Sequence, residues 1–140
     1  MKQFRPGDAS HILLVEDDDL LRDILSDILD EAGFPTSEAC CADEALNLLE
    51  EAGFAEATAA LVTDVDMPGT LDGIALALRV RERWPRMGIV VTSGAHCGAG
   101  LLMRAPTVFL PKPFRGERLI EAVRSVIQDK LAVPAHRWAS

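Results

Sequence analysis

Three short apolar runs in this chain each end in charge, and the charges complement one another. Ile12-Leu13-Leu14-Val15 leads into Glu16-Asp17, Ala59-Ala60-Leu61-Val62-Thr63 into Asp64, and Val108-Phe109-Leu110-Pro111 into Lys112-Pro113. Runs of this length read as buried strands, which would set each charge at the carboxyl rim of a sheet. Carboxylates gathered there repel unless a cation or a raised pKa relieves them. Mg2+ suits such a cluster, because it takes hard oxygen ligands and keeps several waters. Asp64 could then be a nucleophile: carboxylates attack phosphorus, giving an acyl phosphate, when a metal and a lysine offset charge on the transferring group. Lys112 would be that lysine, a flexible point charge for one phosphoryl oxygen. A further run closes in Thr92-Ser93-Gly94 and offers a small hydroxyl at the same rim. Counting from Gly88 favours Ser93 over Thr92.

The elements that must hold these residues alternate along the chain, which predicts repeated βα units around a parallel sheet. Strands are expected at His11 to Val15, Phe34 to Ala39 (weak, because of Pro35), Ala59 to Thr63, Gly88 to Thr92 and Thr107 to Leu110. Asp18 or Asp19 caps a first helix, with Leu21, Ile24, Leu25, Ile28 and Leu29 on one face and Gly33 as its stop. Asp43 to Ala52 is a second helix, closed by Gly53, and Leu71 to Trp84 a third, ended by Pro85. Gly116 to Leu131 is the last, with Leu119, Ile120, Val123, Val126 and Ile127 inward. A fourth helix, due by alternation between Ala95 and Pro106, contains Gly98 and Gly100. Glycine costs about 1 kcal/mol against alanine inside a helix, so this helix is predicted to be short or poorly ordered. In an open α/β sheet ligands bind outside the carboxyl ends, at the switch in strand order, where strands one and three would bring Glu16, Asp17 and Asp64 together.

At 140 residues the chain reads as one domain over 11–130, with an extension at 1–10 and a tail at 131–140. A formal net charge of -8 and the absence of tyrosine argue against direct nucleic-acid binding. No apolar stretch approaches the roughly 18 residues of a membrane helix, and residues 1–10 lack the apolar segment of a secretory signal. Cys40, Cys41 and Cys97 are an odd number without C-x-x-C spacing, which disfavours disulfides and zinc and fits a reducing cytoplasm. His11, His96 and His136 show no metal spacing and read as incidental. Cys40-Cys41 reads as small-residue packing near the second strand.

The runs Leu14-Val15-Glu16-Asp17-Asp18, Asp64-Val65-Asp66-Met67-Pro68-Gly69, Thr92-Ser93-Gly94 and Pro111-Lys112-Pro113-Phe114 resemble the motifs of a two-component response regulator receiver domain, from about His11 to Gln128. The resemblance implies a flavodoxin-like, doubly wound five-stranded sheet of order 2-1-3-4-5. It implies that Asp64 accepts phosphate from a histidine kinase or a histidine phosphotransfer protein. Asp17 would bind Mg2+ with Asp64, Glu16 mainly through water, and the backbone carbonyl of Asp66 would complete the site. Ser93 would follow the phosphoryl group with Phe109 as its aromatic partner, and the Lys112-Pro113 bond would be cis. The loop from Gly69 to Gly73 is one residue longer than the usual pattern, and the stretch between Ser93 and Lys112 is shorter. With no effector domain after the last helix, the chain resembles a stand-alone receiver that signals to an unknown downstream protein; homodimerisation stays open.

Plainer readings exist for each residue. Asp64 before Pro68-Gly69 could be a turn former, Glu16-Asp17 an acidic helix start, Lys112 a surface lysine, Ser93 a loop residue and Phe109 core. Among other functions, Asp64-x-Asp66 resembles the nucleophile and acid of haloacid-dehalogenase phosphatases, but Pro68 and the lack of a cap domain depart from them. A flavodoxin-like cofactor binder would need a hydroxyl-rich phosphate loop where this chain has Glu16-Asp17-Asp18-Asp19.

Overall fold

The structure, a computed structural model, describes residues 11–67, 71–94 and 106–131. Strands and helices alternate as β1 (His11–Val15), α1 (Asp19–Glu31), β2 (Thr36–Ala39), α2 (Ala42–Glu50), α3 (Phe54–Ala57), β3 (Thr58–Asp64), α4 (Gly73–Arg83), β4 (Gly88–Ser93), β5 (Thr107–Pro111) and α5 (Gly116–Leu131). All strand pairs are parallel and their order is β2-β1-β3-β4-β5, the doubly wound, flavodoxin-like arrangement expected.

The sheet is buried on both faces because alternate residues serve opposite layers. Leu13, Val15, Leu61, Ile89 and Val91 pack with Leu49 of α2, Ala55 of α3 and Leu76 and Val80 of α4. Ile12, Leu14, Val62, Val90 and Leu110 pack with Leu25 and Leu29 of α1 and with Leu119, Val123 and Val126 of α5. Each large aliphatic side chain fully buried in these layers contributes about 1.5–3 kcal/mol. The result is a stiff frame with every strand exit at one rim.

Helix ends are set by local hydrogen bonds. Asp18 caps α1 by accepting from the Leu21 N–H at 3.0 Å, and Asp72 caps α4 by accepting from Ala75 at 2.8 Å. Such a cap is worth about 1 kcal/mol. At the other end of α1, Gly33 takes φ 94 while its N–H donates to the Asp30 carbonyl at 2.9 Å and that of Phe34 to Leu29 at 3.0 Å. This paired closure needs a left-handed residue, so glycine stops the helix where expected. Near the opposite rim, the half-buried Arg81 donates to the carbonyls of Pro85, Met87 and Pro106 and to the Thr107 hydroxyl. Burial pushes its pKa down to about 10, so it remains charged at neutral pH and ties α4 to the start of β5.

Several expectations are corrected. β3 runs on to Asp64, β4 to Ser93 and β5 to Pro111, each a little beyond its apolar run. β2 starts at Thr36, although the Pro35 carbonyl still accepts from Ile12 at 2.8 Å. The third expected helix is trimmed to Gly73–Arg83 by its Asp72 cap, and α2 is shifted to Ala42–Glu50. The four-residue α3 was not foreseen. Ile24 is not inward: it is 48% exposed, and Leu20 beside it is 71% exposed. Cys40 is exposed and so does not pack near the second strand as expected, while Cys41 is half-buried and begins α2 as its N-cap. His11 has a structural place, 2.6 Å from the Ser37 hydroxyl and tilted against Phe54. The expected short helix within 95–105, together with His96, Cys97 and His136, lies outside the described residues.

Candidate functional site

The rim is assembled by backbone bonds that carry each strand exit into position. The Glu16 N–H donates to Ala39 of β2 at 3.1 Å, extending the ladder one residue past β1. The Val65 N–H donates to Thr92 at 2.9 Å and the Lys112 N–H to Ser93 at 2.8 Å, tying β3 and β5 to the end of β4. Gly73, the first residue of α4, donates to the Val65 carbonyl at 3.0 Å. A side chain there could not fit, since a Cβ would stand 1.8 Å from the Asp64 carbonyl oxygen.

Onto this frame the structure brings Glu16, Asp17, Asp64 and Lys112. One carboxylate oxygen from each acid lies within 4.8 Å of the others. Glu16 and Asp64 are buried and Asp17 is exposed, so the cluster has one open side. Lys112 Nζ lies 3.2 Å from Asp64 Oδ1. Among the described residues no donor is aligned for a hydrogen bond on that buried oxygen, the ammonium included; the contact with Lys112 is an ion pair only. The Glu16 Oε2 accepts from the Asp18 N–H at 3.0 Å.

Electrostatics follow from crowding. Burial pushes the Glu16 pKa up, the Asp18 N–H opposes this, Asp64 and Asp17 raise it further, and Lys112 lowers it. Three carboxylates face one lysine, and the buried Asp64 oxygen lacks an aligned donor. A hard divalent cation fits this donor set and charge imbalance.

The other candidates are placed less centrally. Ser93 is buried at the end of β4, opposite Pro111, whereas Thr92 is the residue in register with Asp64. Phe109 is half-buried against the layer that contains α2 and α4. Asp66 is exposed two residues beyond Asp64. Pro113 follows Lys112 through a cis peptide bond, as the motif implied. Gly73 was missed; its signal, a glycine directly after the capping Asp72, is visible only once a helix start is placed there.

The chain is similar in sequence and fold to known proteins. Residues 12–124 match the family model described as the response regulator receiver domain. The transcriptional regulatory protein FixJ of Bradyrhizobium diazoefficiens is 34% identical over 85% of this chain and 57% of its own length. The response regulator protein FleR of Pseudomonas aeruginosa is 36% identical over 82% of this chain, but only 24% of FleR is covered. The chain thus spans about half or less of these curated relatives. A crystal structure of a response regulator receiver protein from Sinorhizobium medicae superposes with a TM-score of 0.78 at 28% identity, covering 89% of this chain and 98% of that one. With the motifs at the exits of four of the five parallel strands and the family model spanning most of its length, this chain belongs to the response regulator receiver domains of two-component systems.

Proposed function

We propose that Asp64 accepts a phosphoryl group from a histidine kinase or a histidine phosphotransfer protein, in a Mg2+-dependent step. The phosphorylated chain then signals by binding a protein partner. One observation carries this reading: the Asp64 carboxylate is buried between two acids and an ammonium 3.2 Å away, with one side of the cluster open.

In the proposed step an Asp64 oxygen attacks phosphorus, the new O–P bond forms, and the P–N bond to the donor histidine breaks with its electron pair leaving on the imidazole. Lys112 stays on the phosphoryl oxygens as their positive partner. Glu16, Asp17, Asp64 and the Asp66 carbonyl would hold Mg2+, Glu16 mainly through water. When bound, Mg2+ offsets negative charge on the transferring group. Ser93 moves its hydroxyl to the phosphoryl group, and Phe109 and the Lys112-Pro113 turn adjust with it. The chain is a phosphoacceptor whose only chemistry is its own phosphorylation and dephosphorylation. We include stand-alone action in this proposal, to be tested by whether the 140-residue chain alone captures a partner after phosphorylation.

The direct test is incubation with acetyl phosphate and Mg2+. A hydroxylamine-labile adduct is expected, at one phosphoryl group per chain. Turnover of a phosphomonoester without such an adduct would instead support a phosphatase and sink the proposal.

A protein donor must also dock. Leu20 and Ile24 are large, exposed and one helical turn apart on α1, in the helix that begins just after the acid pair. Leu20→Ser with Ile24→Ser is expected to slow transfer from a histidine-phosphorylated protein about tenfold, the equivalent of ~1.4 kcal/mol. Uptake from acetyl phosphate should be unchanged. Equal slowing with both donors would rule out docking as their role.

A further inference from the structure

Arg22 is an odd residue for its position. It stands in the opening turns of α1, where the helix dipole disfavours a cation, yet its side chain is only 16% exposed. The guanidinium folds back across the helix start and makes three bonds at once. Nη1 donates to the Glu16 backbone carbonyl at 2.8 Å, Nη2 to Asp19 Oδ1 at 2.6 Å, and Nε to Glu38 Oε1 of β2 at 3.2 Å. The Glu16 peptide is therefore held from both ends, its N–H by Ala39 and its carbonyl by Arg22. The turn that carries Glu16 and Asp17 is fastened to β2 and α1 together.

We infer that Arg22 is a positioning residue for the acid pair, which sets how well Glu16 and Asp17 present oxygens to a divalent cation. This rests on the cation site proposed above. Charge and geometry predict opposite outcomes, which makes the inference testable. A positive charge near the cluster weakens cation binding, so deleting it would tighten binding if charge were all that mattered. Loss of an outer partner that orients ligands typically weakens metal affinity about 10–100-fold. Lysine keeps the charge but cannot reproduce the planar fork.

The experiment is a MgCl2 titration of the full 140-residue chain, followed by backbone amide NMR shifts, with thermal melts in EDTA to confirm folding. Arg22→Lys is expected to raise the Mg2+ Kd about tenfold, with metal-free shifts changed mainly around residues 15–19. Arg22→Gln should weaken binding as well. A wild-type Kd in Arg22→Lys, or tighter binding in Arg22→Gln, would overturn the inference while leaving the cation site standing. A wild-type chain that shows no saturable response to Mg2+ would overturn both.

Discussion

Asp64→Asn is expected to take up no measurable phosphoryl group from acetyl phosphate and Mg2+, while the folded protein becomes slightly more stable without metal. The first effect follows from the loss of the attacking oxygen. Once a covalent nucleophile is gone, a drop of about a thousandfold or more is expected, which in this assay is background. The second follows from the crowding at the rim. Asp64 faces two acids, Glu16 and Asp17, and one cation, Lys112, so neutralising it removes two repulsions and one attraction. Unit charges about 4 Å apart interact by roughly 1 kcal/mol in water and 4 at an effective dielectric of 20. The net gain is therefore about 1 kcal/mol, read as a higher urea midpoint with an unchanged m value. Adding Mg2+ should stabilise the wild type and leave the variant nearly unmoved. A variant that still forms the hydroxylamine-labile adduct would place the acceptor elsewhere.

Gly73→Ala is expected to cost about 3 kcal/mol, the upper end for overpacking, from a total stability of the order of 5–15 kcal/mol. The new methyl would meet only backbone: the Asp64 oxygen at 1.8 Å, its carbonyl carbon at 2.7 Å and the Val65 Cα at 2.9 Å. None of these can rotate away as a side chain could. Either α4 lifts from β3, loosening Leu76 and Val80 from the core, or the Asp64 peptide shifts. Both routes are also expected to slow phosphoryl uptake, because the proposed acceptor, Asp64, is the last residue of the displaced strand. Gly94→Ala is the control, since a Cβ there meets nothing within 4 Å. Urea unfolding of the two variants checks the claim; a Gly73→Ala midpoint within error of Gly94→Ala would refute it.

Most of the sheet was legible because each buried strand is a nearly continuous apolar run, and the clustering of Glu16, Asp17, Asp64 and Lys112 was legible because charge follows those runs directly. What escaped has physical reasons. Ile24 keeps the right period for the inner face of α1, but only a neighbouring helix decides how wide that face is: Ile28 lies against the start of α5 at Gly116, while Ile24 is left half-exposed. The helix α3 is four residues long, too short for any period to register. Gly73 is required by the Asp64 carbonyl nine residues earlier, a contact that exists only after β3 and α4 have packed. Arg81 bonds largely to backbone carbonyls, which every residue type offers, and Arg22 joins the Glu16 carbonyl to Asp19 and to Glu38 of β2, partners that meet only once α1 has packed beside β2, so no sequence pattern announces either. The strand ends were short by a residue because Asp64, Ser93 and Pro111 are polar or proline at rim positions, where function and ladder overlap.

The strand order leaves β2 and β5 at the margins of the sheet, and unpaired margins are where chains add to one another into aggregates. Here both are short, and prolines flank them: Pro35 before β2, and Pro106, Pro111 and Pro113 around β5. A proline offers no N–H, so neither margin presents more than four consecutive donors to an incoming strand. Sheet extension is therefore a poor route for any other chain to attach. Association is thereby directed to helix surfaces, where side chains can discriminate between partners, and away from backbone pairing, which cannot.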